Sequence, residues 1–379
     1  MKPIYLDHAA STPLCDEARE AMVPWLSSEF GNPSSLHQSG RRAKEAIDQA
    51  REVISTAFDC LFGEVIFTSG GTESAVLGIV GTALAALPDR RRVLLSAAEH
   101  HCVLGCQEIL ERLGFQVDLV PVDRVARVRL DVLEEMMGPD VLLVAVMHAN
   151  NELGTFNDVS RAAEIAHRAG ALLFVDAVQT FPFCRQSETG ADMISSSAHK
   201  IYGPKGAGAL YVRSGTKIKP VVAGGGQERE MRAGTENVAG IVGFAAAAQM
   251  MIDTPLPHAQ SARDLFHFEL AGLTRKFVPS VPDRDQLMSH FHIRFPGISA
   301  DTMLVRLDRE GICASSGAAC SSGSLEPSHV LQACGYSEAE SNEGLRFTFG
   351  KDSTDEEAVR AARIVAKAAE EVLAKRQAR

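Results

Sequence analysis

Long apolar runs and an excess of positive charge are both missing from this 379-residue sequence. The most apolar stretch, Val238–Ile252, contains Gln249 and is shorter than the roughly 20 residues that span a bilayer, so we expect a buried helix and no membrane association. The formal net charge is −10, whereas nucleic acids and anionic membranes are bound through clustered Lys and Arg. Direct binding to nucleic acid is therefore not expected.

Cysteines are few and irregularly placed. Eight of them are spread through the chain, which does not resemble the dense, evenly spaced sets that form disulfide frameworks. The opening sequence MKPIYLDHAASTP also has no apolar segment of the secretory type. We therefore expect reduced thiols and a cytoplasmic location.

Short apolar runs alternate with longer helical patterns between residues 60 and 215. Because these runs show no strict alternation with polar residues, they are typical of strands buried on both faces of a mostly parallel sheet. The predicted strands are Glu64–Ser69, Val93–Ser96, Phe115–Val120, Val141–His148, Ala171–Asp176 and Ala207–Val212. The helices predicted between them include Glu73–Leu87, Cys102–Leu113 and Val159–Ala169. The fold class is α/β, and the ligands of such sheets bind at the carboxyl ends of the strands.

The pattern changes after about residue 255. Two short segments alternate apolar and polar residues, which predicts half-buried strands; their apolar positions are Phe291, Ile293, Phe295, Leu345, Phe347 and Phe349. An amphipathic helix rich in Ala and Val is predicted at Asp355–Lys375. Since the chain is also longer than one core normally supports, we expect two domains. The large one is assigned to 16–255, and a smaller α+β domain to 1–15 together with 256–379.

A glycine-rich turn, Ser69-Gly70-Gly71-Thr72-Glu73, follows the first of these strands and opens a helix. Main-chain N–H groups at a helix N-terminus bind anions well, and Thr72 adds a hydroxyl donor. A tight turn in which Thr72 only caps the helix explains the same residues equally well. The motif alone does not decide between these readings.

Three further polar residues together indicate a candidate cofactor site. Asp176 ends an apolar strand, Gln179 follows it, and Lys200 lies between a strand and a Gly-rich turn. Taken singly, an Asp at a strand end is often a helix cap and a loop Lys is usually solvated. Pyridoxal phosphate (PLP), however, requires a Lys for covalent attachment and a carboxylate beside its pyridine nitrogen. A phosphate cradle made of Gly71, Thr72, Ser197 and His199 would complete such a site.

Eight motifs, in order along almost the whole chain, strengthen this interpretation. They are FGNPSSLH (30–37), SGGTES (69–74), EHHCVL (99–104), HANNELG (148–154), VDAVQ (175–179), SAHKIYGPKG (197–206), GGGQEREMRAGTEN (224–237) and SSGAACSSGSLEPSHV (315–330). Together they resemble the cysteine desulfurases of the NifS/IscS type, in the class-V aminotransferase family. The resemblance implies the PLP-dependent transferase fold type I, with a seven-stranded, mostly parallel sheet in the large domain.

The resemblance also implies a role for each matching residue. Lys200 would carry PLP covalently, Asp176 would pair with the pyridine nitrogen and Gln179 would hydrogen-bond the ring phenolate oxygen. His100 would stack on the ring and transfer protons. The other implied cofactor contacts are Gly71, Thr72, Asn151, Ser197, His199 and, across a homodimer interface, Thr235. The substrate L-cysteine would be received by Asn32, Asn151 and Arg346, since a guanidinium binds a carboxylate in a bidentate manner.

Cys320 lies in the low-complexity segment 314–324, ASSGAACSSGS. A buried structural Cys would have apolar neighbours, whereas these flanks are Ser, Gly and Ala, which favours an exposed segment. The resemblance identifies Cys320 as the nucleophile that takes sulfur from L-cysteine as a persulfide and passes it to an acceptor protein, such as an iron–sulfur scaffold. Contact with an iron–sulfur cluster during transfer is the one metal contact expected. A resident metal at His100, His101, Cys102 and Cys106 is not predicted, because these residues need not face one side.

Two alternatives remain open. A selenocysteine lyase, or another PLP enzyme resembling the aminotransferases, would keep the cofactor but would not need Cys320. A non-enzymatic scaffold would need neither Lys200 nor Asp176. The acceptor pathway is open as well, between iron–sulfur cluster assembly and the thiolation of tRNA or cofactors. His8–Ser11 and Ala198 depart conservatively from the commonest family pattern and are compatible with a specialised branch.

Overall fold

The computed structural model describes residues 3–86, 88–254, 257–282, 286–316 and 327–377. The strands within these residues are β1 Ile4–Tyr5, β2 Val65–Thr68, β3 Arg92–Ser96, β4 Gln116–Val120, β5 Val141–Met147, β6 Leu172–Asp176, β7 Met193–Ser197, β8 Gly208–Val212, β9 Val278–Pro279, β10 His290–Arg294, β11 Ile312–Cys313 and β12 Gly344–Thr348. The α-helices are α1 Asp16–Met22, α2 Gln38–Phe58, α3 Gly71–Ala85, α4 His101–Leu104, α5 Cys106–Arg112, α6 Leu130–Met136, α7 Val159–Arg168, α8 Gln186–Thr189, α9 Val238–Asp253, α10 Pro257–Leu273, α11 Ala300–Arg309, α12 His329–Ala333, α13 Glu338–Ser341 and α14 Asp355–Gln377. Short 3₁₀ turns lie at Val23–Leu26, Phe62–Glu64, Ala198–Lys200 and Gln227–Glu230.

A seven-stranded sheet in the order β2-β8-β7-β6-β5-β3-β4 forms the centre of the larger part of the molecule. Only β8 runs antiparallel to its neighbours β2 and β7; the other pairs are parallel. All seven residues of β5 are buried, because apolar clusters cover both faces of the sheet. The α/β class and the mostly parallel seven-stranded sheet are confirmed, and each strand predicted in this region lies within one residue of an observed one.

Strand β7 was absent from the predicted strands, although a strand was expected ahead of Lys200. Its sequence, MISSS, ends in three serines and reads as a loop, yet every residue of it is buried. The hydroxyls find acceptors inside the sheet: Ser195 Oγ bonds to Asp176 Oδ1 at 3.1 Å and Ser196 Oγ bonds to the main-chain oxygen of Ala209 at 3.0 Å. Buried hydroxyls are tolerated where they are hydrogen-bonded in this way.

A second core packs around the antiparallel sheet β12-β10-β9 and the helices α10, α11 and α14. It includes Ile4 and Leu6, which reach it because β1 pairs with β11. The prediction that β10 and β12 are half-buried is wrong, since their polar residues are buried too. The polar face is covered by two other segments: Arg346 bonds to the main-chain oxygen of Asn151, and Thr348 Oγ1 accepts from the main-chain nitrogen of Ala9.

Within the described residues, no single helix is both long and apolar enough to cross a bilayer. Helices α9 and α10 meet that criterion only as a pair bent by 68°. Helix α9 is largely buried, as expected for Val238–Ile252.

Candidate active site

The carboxyl ends of β6 and β7 are neighbours in the sheet and carry the first two predicted site residues, Asp176 and Ser197. Asp176 is buried, and its Oδ1 accepts hydrogen bonds from Val178 N at 2.9 Å and from Ser195 Oγ at 3.1 Å. These donors fix the carboxylate at the strand end, where the ligands of parallel sheets bind.

The turn after β7 carries Lys200 and is covered by the segment 7–12. Lys200 Nζ donates to the main-chain oxygens of Ala9, at 2.5 Å, and Ala10, at 3.0 Å. Gln179 Nε2 donates to the same Ala9 oxygen at 3.1 Å. Gln179 and Lys200 therefore meet at one carbonyl. Residues 8–11, which depart from the commonest family pattern, thus contact Gln179 and Lys200 through main-chain oxygens.

His199, the residue before Lys200, is held by the same N-terminal segment. Its main-chain oxygen accepts from Thr12 Oγ1 at 3.0 Å, and its Nδ1 lies 3.3 Å from Ser11 Oγ. Burial, with smaller contributions from the charges of Lys200 and Lys205, lowers the pKa of His199 to about 4. The ring is therefore neutral at neutral pH and can donate or accept one proton.

The start of α3 packs so closely against neighbouring segments that glycine is required there. A Cβ on Gly71 would lie 2.7 Å from Val178 Cγ2 and 3.7 Å from Ser197 Cβ, and a Cβ on Gly208 would lie 2.6 Å from Gly70 Cα. Gly70, the residue before the helix, has a φ of 149° and makes no side-chain cap hydrogen bond. The helix thus presents uncapped N–H groups beside Ser197, with the exposed Thr72 at the same end. This arrangement suits an anion such as a phosphate.

His100 precedes α4 and caps it: Nδ1 accepts from the main-chain nitrogen of Cys102 at 3.2 Å. Because Nδ1 is the acceptor, the neutral ring carries its proton on Nε2. Burial lowers the pKa of His100, while the charge of Asp176 opposes this shift and that of Lys200 adds to it. His100 therefore lies within electrostatic reach of both groups.

Two buried carboxyl groups near this centre were missed by the sequence interpretation. Glu99 Oε1 accepts from Met147 N at 2.5 Å, and Glu152 Oε2 accepts from Ser328 Oγ at 2.6 Å. Burial raises the pKa of both, and the neighbouring charge of Asp176 raises that of Glu99 further. The only sequence signal was their position inside the EHHCVL and HANNELG motifs, since an isolated Glu is normally exposed.

Arg346 of β12 contacts Asn151, which follows β5 of the large sheet. Arg346 is 2% exposed; its guanidinium donates to the main-chain oxygen of Asn151 at 2.7 Å and to Asp7 Oδ1 at 2.8 Å. Two buried polar atoms, Arg346 Nε and Asn151 Oδ1, have no hydrogen-bond partner in the described chain. Such orphaned atoms cost free energy, and a polar ligand would satisfy them.

Three predicted site residues are not brought to this centre by the described chain. Asn32 is exposed and its Oδ1 accepts from Ser34 N at 2.9 Å. Thr235 is exposed ahead of α9. Cys320 lies outside the described residues, although the flanking Ser315 and Ser328 are placed: Ser315 pairs with Arg346, and Ser328 bonds to Glu152.

The centre thus combines an amine, a fixed carboxylate, a neutral imidazole, an anion-binding helix end and a buried guanidinium. Such a set can hold a phosphate-bearing cofactor and a substrate carboxylate, and can move a proton between them. Among the residues the structure describes, no group of three or more His, Cys, Asp or Glu side chains could hold a metal ion.

Comparison with known proteins agrees with this arrangement. A family model described as aminotransferase class-V matches residues 4–360. A protein named cysteine desulfurase IscS, from Dictyoglomus turgidum, is 42% identical over 361 residues, covering 94% of this chain and 92% of its own. A solved structure described as a NifS-like protein superposes with a TM-score of 0.89 at 32% identity, covering 96% of this chain and 98% of its own. Another, described as SspA in complex with cysteine, has a TM-score of 0.82 at 33% identity and covers 93% and 100%.

Proposed function

Because this chain belongs to the class-V aminotransferase family, and is a cysteine desulfurase within it, we propose that it binds PLP on Lys200 and receives the sulfur of L-cysteine on Cys320. The observation that carries the proposal is the meeting of Lys200 and Gln179 at the Ala9 carbonyl, within electrostatic reach of His100. Asp176 acts on the same imidazole, so four of the groups assigned to the cofactor converge.

The residues present fit PLP. The start of α3 has no side-chain cap and lies beside Ser197, so its N–H groups could hold a phosphate together with Thr72, Ser197 and His199. The buried Asp176 carboxylate would keep a proton on the pyridine nitrogen. When bound, PLP supplies an electron sink that acidifies the substrate α-carbon.

The side chains around it have complementary tasks. Arg346, together with Asn151, binds the α-carboxylate and so orients the α-carbon toward Lys200. Lys200 Nζ accepts the α-proton. His100 exchanges a proton through Nε2, the nitrogen that carries the proton of the neutral ring because Nδ1 accepts from Cys102 N.

Sulfur transfer requires one further nucleophile. The Cys320 thiolate attacks the substrate sulfur, so an S–S bond forms as the bond between the β-carbon and sulfur breaks. Its electron pair stays with the three-carbon fragment, which takes up protons and leaves as L-alanine. The persulfide sulfur then passes to an acceptor protein, for iron–sulfur cluster assembly or for thiolation of tRNA or cofactors.

A homodimer and a cytoplasmic location belong to the same proposal. The exposure of Thr235 supports the dimer, because an exposed hydroxyl in a segment assigned to cofactor binding is available to the site of a second copy. Sedimentation of a fully active monomer would refute this part.

Mass spectrometry of the PLP-loaded protein after incubation with L-cysteine tests the central claim. One additional sulfur atom should appear on the peptide that contains Cys320 and should be removed by a thiol reductant. The matched control is Cys313→Ser, since Cys313 is a half-buried thiol nearby in sequence; its sulfur gain should equal that of the wild type. Cys320→Ser should gain none and should make alanine far more slowly, because a hydroxyl is a much weaker nucleophile toward sulfur.

Other results identify the rival functions. Equal alanine and sulfide production by Cys320→Ser would point to a lyase or aminotransferase-like enzyme without a persulfide step. A purified protein that takes up no PLP would point to a non-enzymatic scaffold.

A further inference from the structure

We propose that Glu152 and Ser328 are positioning residues that fix the C-terminal end of the motif 315–330, here called the Cys320 segment, against the substrate pocket. We call the Ser328–Glu152 hydrogen bond, with the adjoining bond from His329 to Glu99, the Ser328 clamp. The inference rests on the proposed function, since it assigns a task to residues that flank the sulfur-accepting cysteine.

The first half of the clamp is a buried hydrogen bond to a carboxyl group. Ser328 Oγ donates to Glu152 Oε2 at 2.6 Å, and the two residues are 2% and 1% exposed. They are 176 positions apart in the sequence, so the bond ties the small-domain segment to the HANNELG segment. A buried carboxyl group is costly unless it is hydrogen-bonded, which makes this contact strongly preferred over its loss.

The second half involves the next residue. His329 Nε2 lies 2.9 Å from the main-chain oxygen of Glu99. A carbonyl only accepts, so His329 Nε2 carries the proton and donates it. The His329 ring also packs on that of His101, with centroids 4.2 Å apart. The end of the Cys320 segment is thereby placed beside the EHH motif that carries His100.

Glu152 lies next to the residues assigned to binding the substrate carboxylate. Glu152 follows Asn151, whose carbonyl holds the Arg346 guanidinium, and the charges of Arg346 and His101 both act on its carboxyl group. At its other end the Cys320 segment is tied to the same arginine, because Ser315 and Arg346 exchange main-chain hydrogen bonds of 3.2 and 2.7 Å. Both ends of the segment therefore rest on the elements assigned to the substrate carboxylate.

A simple helix cap does not account for this burial. Ser328 Oγ accepts from Leu331 N and so caps α12, a task that needs only an acceptor. The chain contains a matched example at its surface: Ser337 caps α13 and shares its hydroxyl with Glu340, and this pair is exposed. The two serines form the same kind of cap, but only Ser328 is bound to a carboxyl group next to the substrate arginine.

The test compares Ser328→Ala with the matched control Ser337→Ala, and with Ser328→Thr, which keeps the hydroxyl. Two quantities are measured: the single-turnover rate at which the Cys320 peptide gains sulfur, and hydrogen–deuterium exchange of residues 328–331 in the protein without cysteine. Ser328→Ala should slow sulfur gain by about tenfold or more, with the KM for L-cysteine within about twofold of wild type, because a buried hydrogen bond is lost and the Glu152 carboxyl group is left without its donor. Its exchange at 328–331 should be faster. Ser328→Thr should restore both quantities, and Ser337→Ala should change neither.

Glu152→Gln replaces the carboxyl group by an amide that still offers an oxygen acceptor to Ser328, so an intermediate loss of about threefold is expected. It also keeps the inference falsifiable if Ser328→Ala does not fold. Equal effects of Ser328→Ala and Ser337→Ala, a change confined to KM, or a failure of threonine to rescue would each overturn the positioning role. If wild type gains no sulfur on Cys320, the proposed function fails, and the exchange of residues 328–331 still decides whether the clamp holds this end.

Discussion

The turn that carries Lys200 and the described residues on either side of Cys320 are held by different kinds of contact. Lys200 is covered by main-chain carbonyls of Ala9 and Ala10, next to a strand buried over its whole length. On either side of Cys320, Ser315 pairs with Arg346 through the main chain and Ser328 bonds to Glu152 through its side chain. The proposed cofactor lysine is thus held by main-chain carbonyls of the N-terminal segment. The described residues that flank the proposed nucleophile are instead tied to Arg346 and to Glu152, the residue after Asn151.

The contrast predicts different kinds of failure. Changes at the lysine turn should remove the chemistry altogether, whereas changes around Arg346 should weaken the binding of one substrate group. Changes on the buried polar face of β10 should alter stability alone.

Lys200→Ala should show the largest effect. The protein should lose the visible absorption of covalently held PLP and all measurable turnover, because the covalent anchor and the proton acceptor are one atom. Lys205→Ala, an exposed lysine in the same turn, is the matched control and should keep both properties. Full turnover in Lys200→Ala saturated with PLP would contradict the assignment of Lys200 as the covalent anchor and proton acceptor.

Arg346→Lys should come second. The lysine keeps the charge but loses the planar pair of donors, so binding of L-cysteine should weaken by about tenfold to a hundredfold. Titration followed by the absorbance of bound PLP measures this affinity. Cysteamine, which lacks the carboxylate, provides the control: its affinity should change by less than about threefold. Equal weakening of both ligands would show that Arg346 acts through the fold rather than on the carboxylate.

The smallest effect on turnover is expected from two buried histidines, which act on the pH dependence of stability instead. Burial lowers the pKa of His290 and His292 to about 3, from an ordinary value of 6.5. Between these two values the unfolded chain binds more protons than the native chain, so stability falls as the pH falls from 6.5 toward 3. Each histidine should contribute about 1.4 kcal/mol per pH unit in this window.

Urea unfolding at a series of pH values measures this slope. The double variant His290→Gln/His292→Gln should show a shallower acid slope than the wild type. His258→Gln, which alters an exposed histidine of α10, should not change it. A slope unaffected by the double change would mean that these rings are already charged in the native protein.

The two regions also differ in how far the sequence could foresee them. The strand ends that carry Asp176 and Thr68 followed from apolar runs of β length, because a doubly covered sheet requires such runs. Strand β7 was not predicted by this rule, because its serines are polar. They are nevertheless buried, since the hydroxyls of Ser195 and Ser196 form hydrogen bonds inside the sheet. The alternation of apolar and polar residues misled at β10 and β12, because their polar face is covered by the segments of Ala9 and Asn151.

Side-chain contacts between residues far apart in the sequence could not be predicted from sequence patterns. The sequence around Arg346 does not indicate that Asp7 is its partner, and the sequence around Ser328 does not indicate Glu152. These hydrogen bonds depend on how distant segments pack together. The resemblance to a known family named Lys200, Asp176 and Gln179 through their motifs. It gave no role to Glu99 or Glu152, although these lie in the same motifs.

The pairing of Asp7 with Arg346 also has a consequence for biosynthesis. The two residues are 339 positions apart, and β1 has its partner strand at Ile312–Cys313. On the ribosome, a nascent chain that has already formed the large sheet cannot place residues 4–7 until β11 and Arg346 have been synthesised. The neighbouring carbonyls of Ala9 and Ala10 are therefore expected to reach Lys200 late in folding. Until then the large sheet would lack its cover over this lysine.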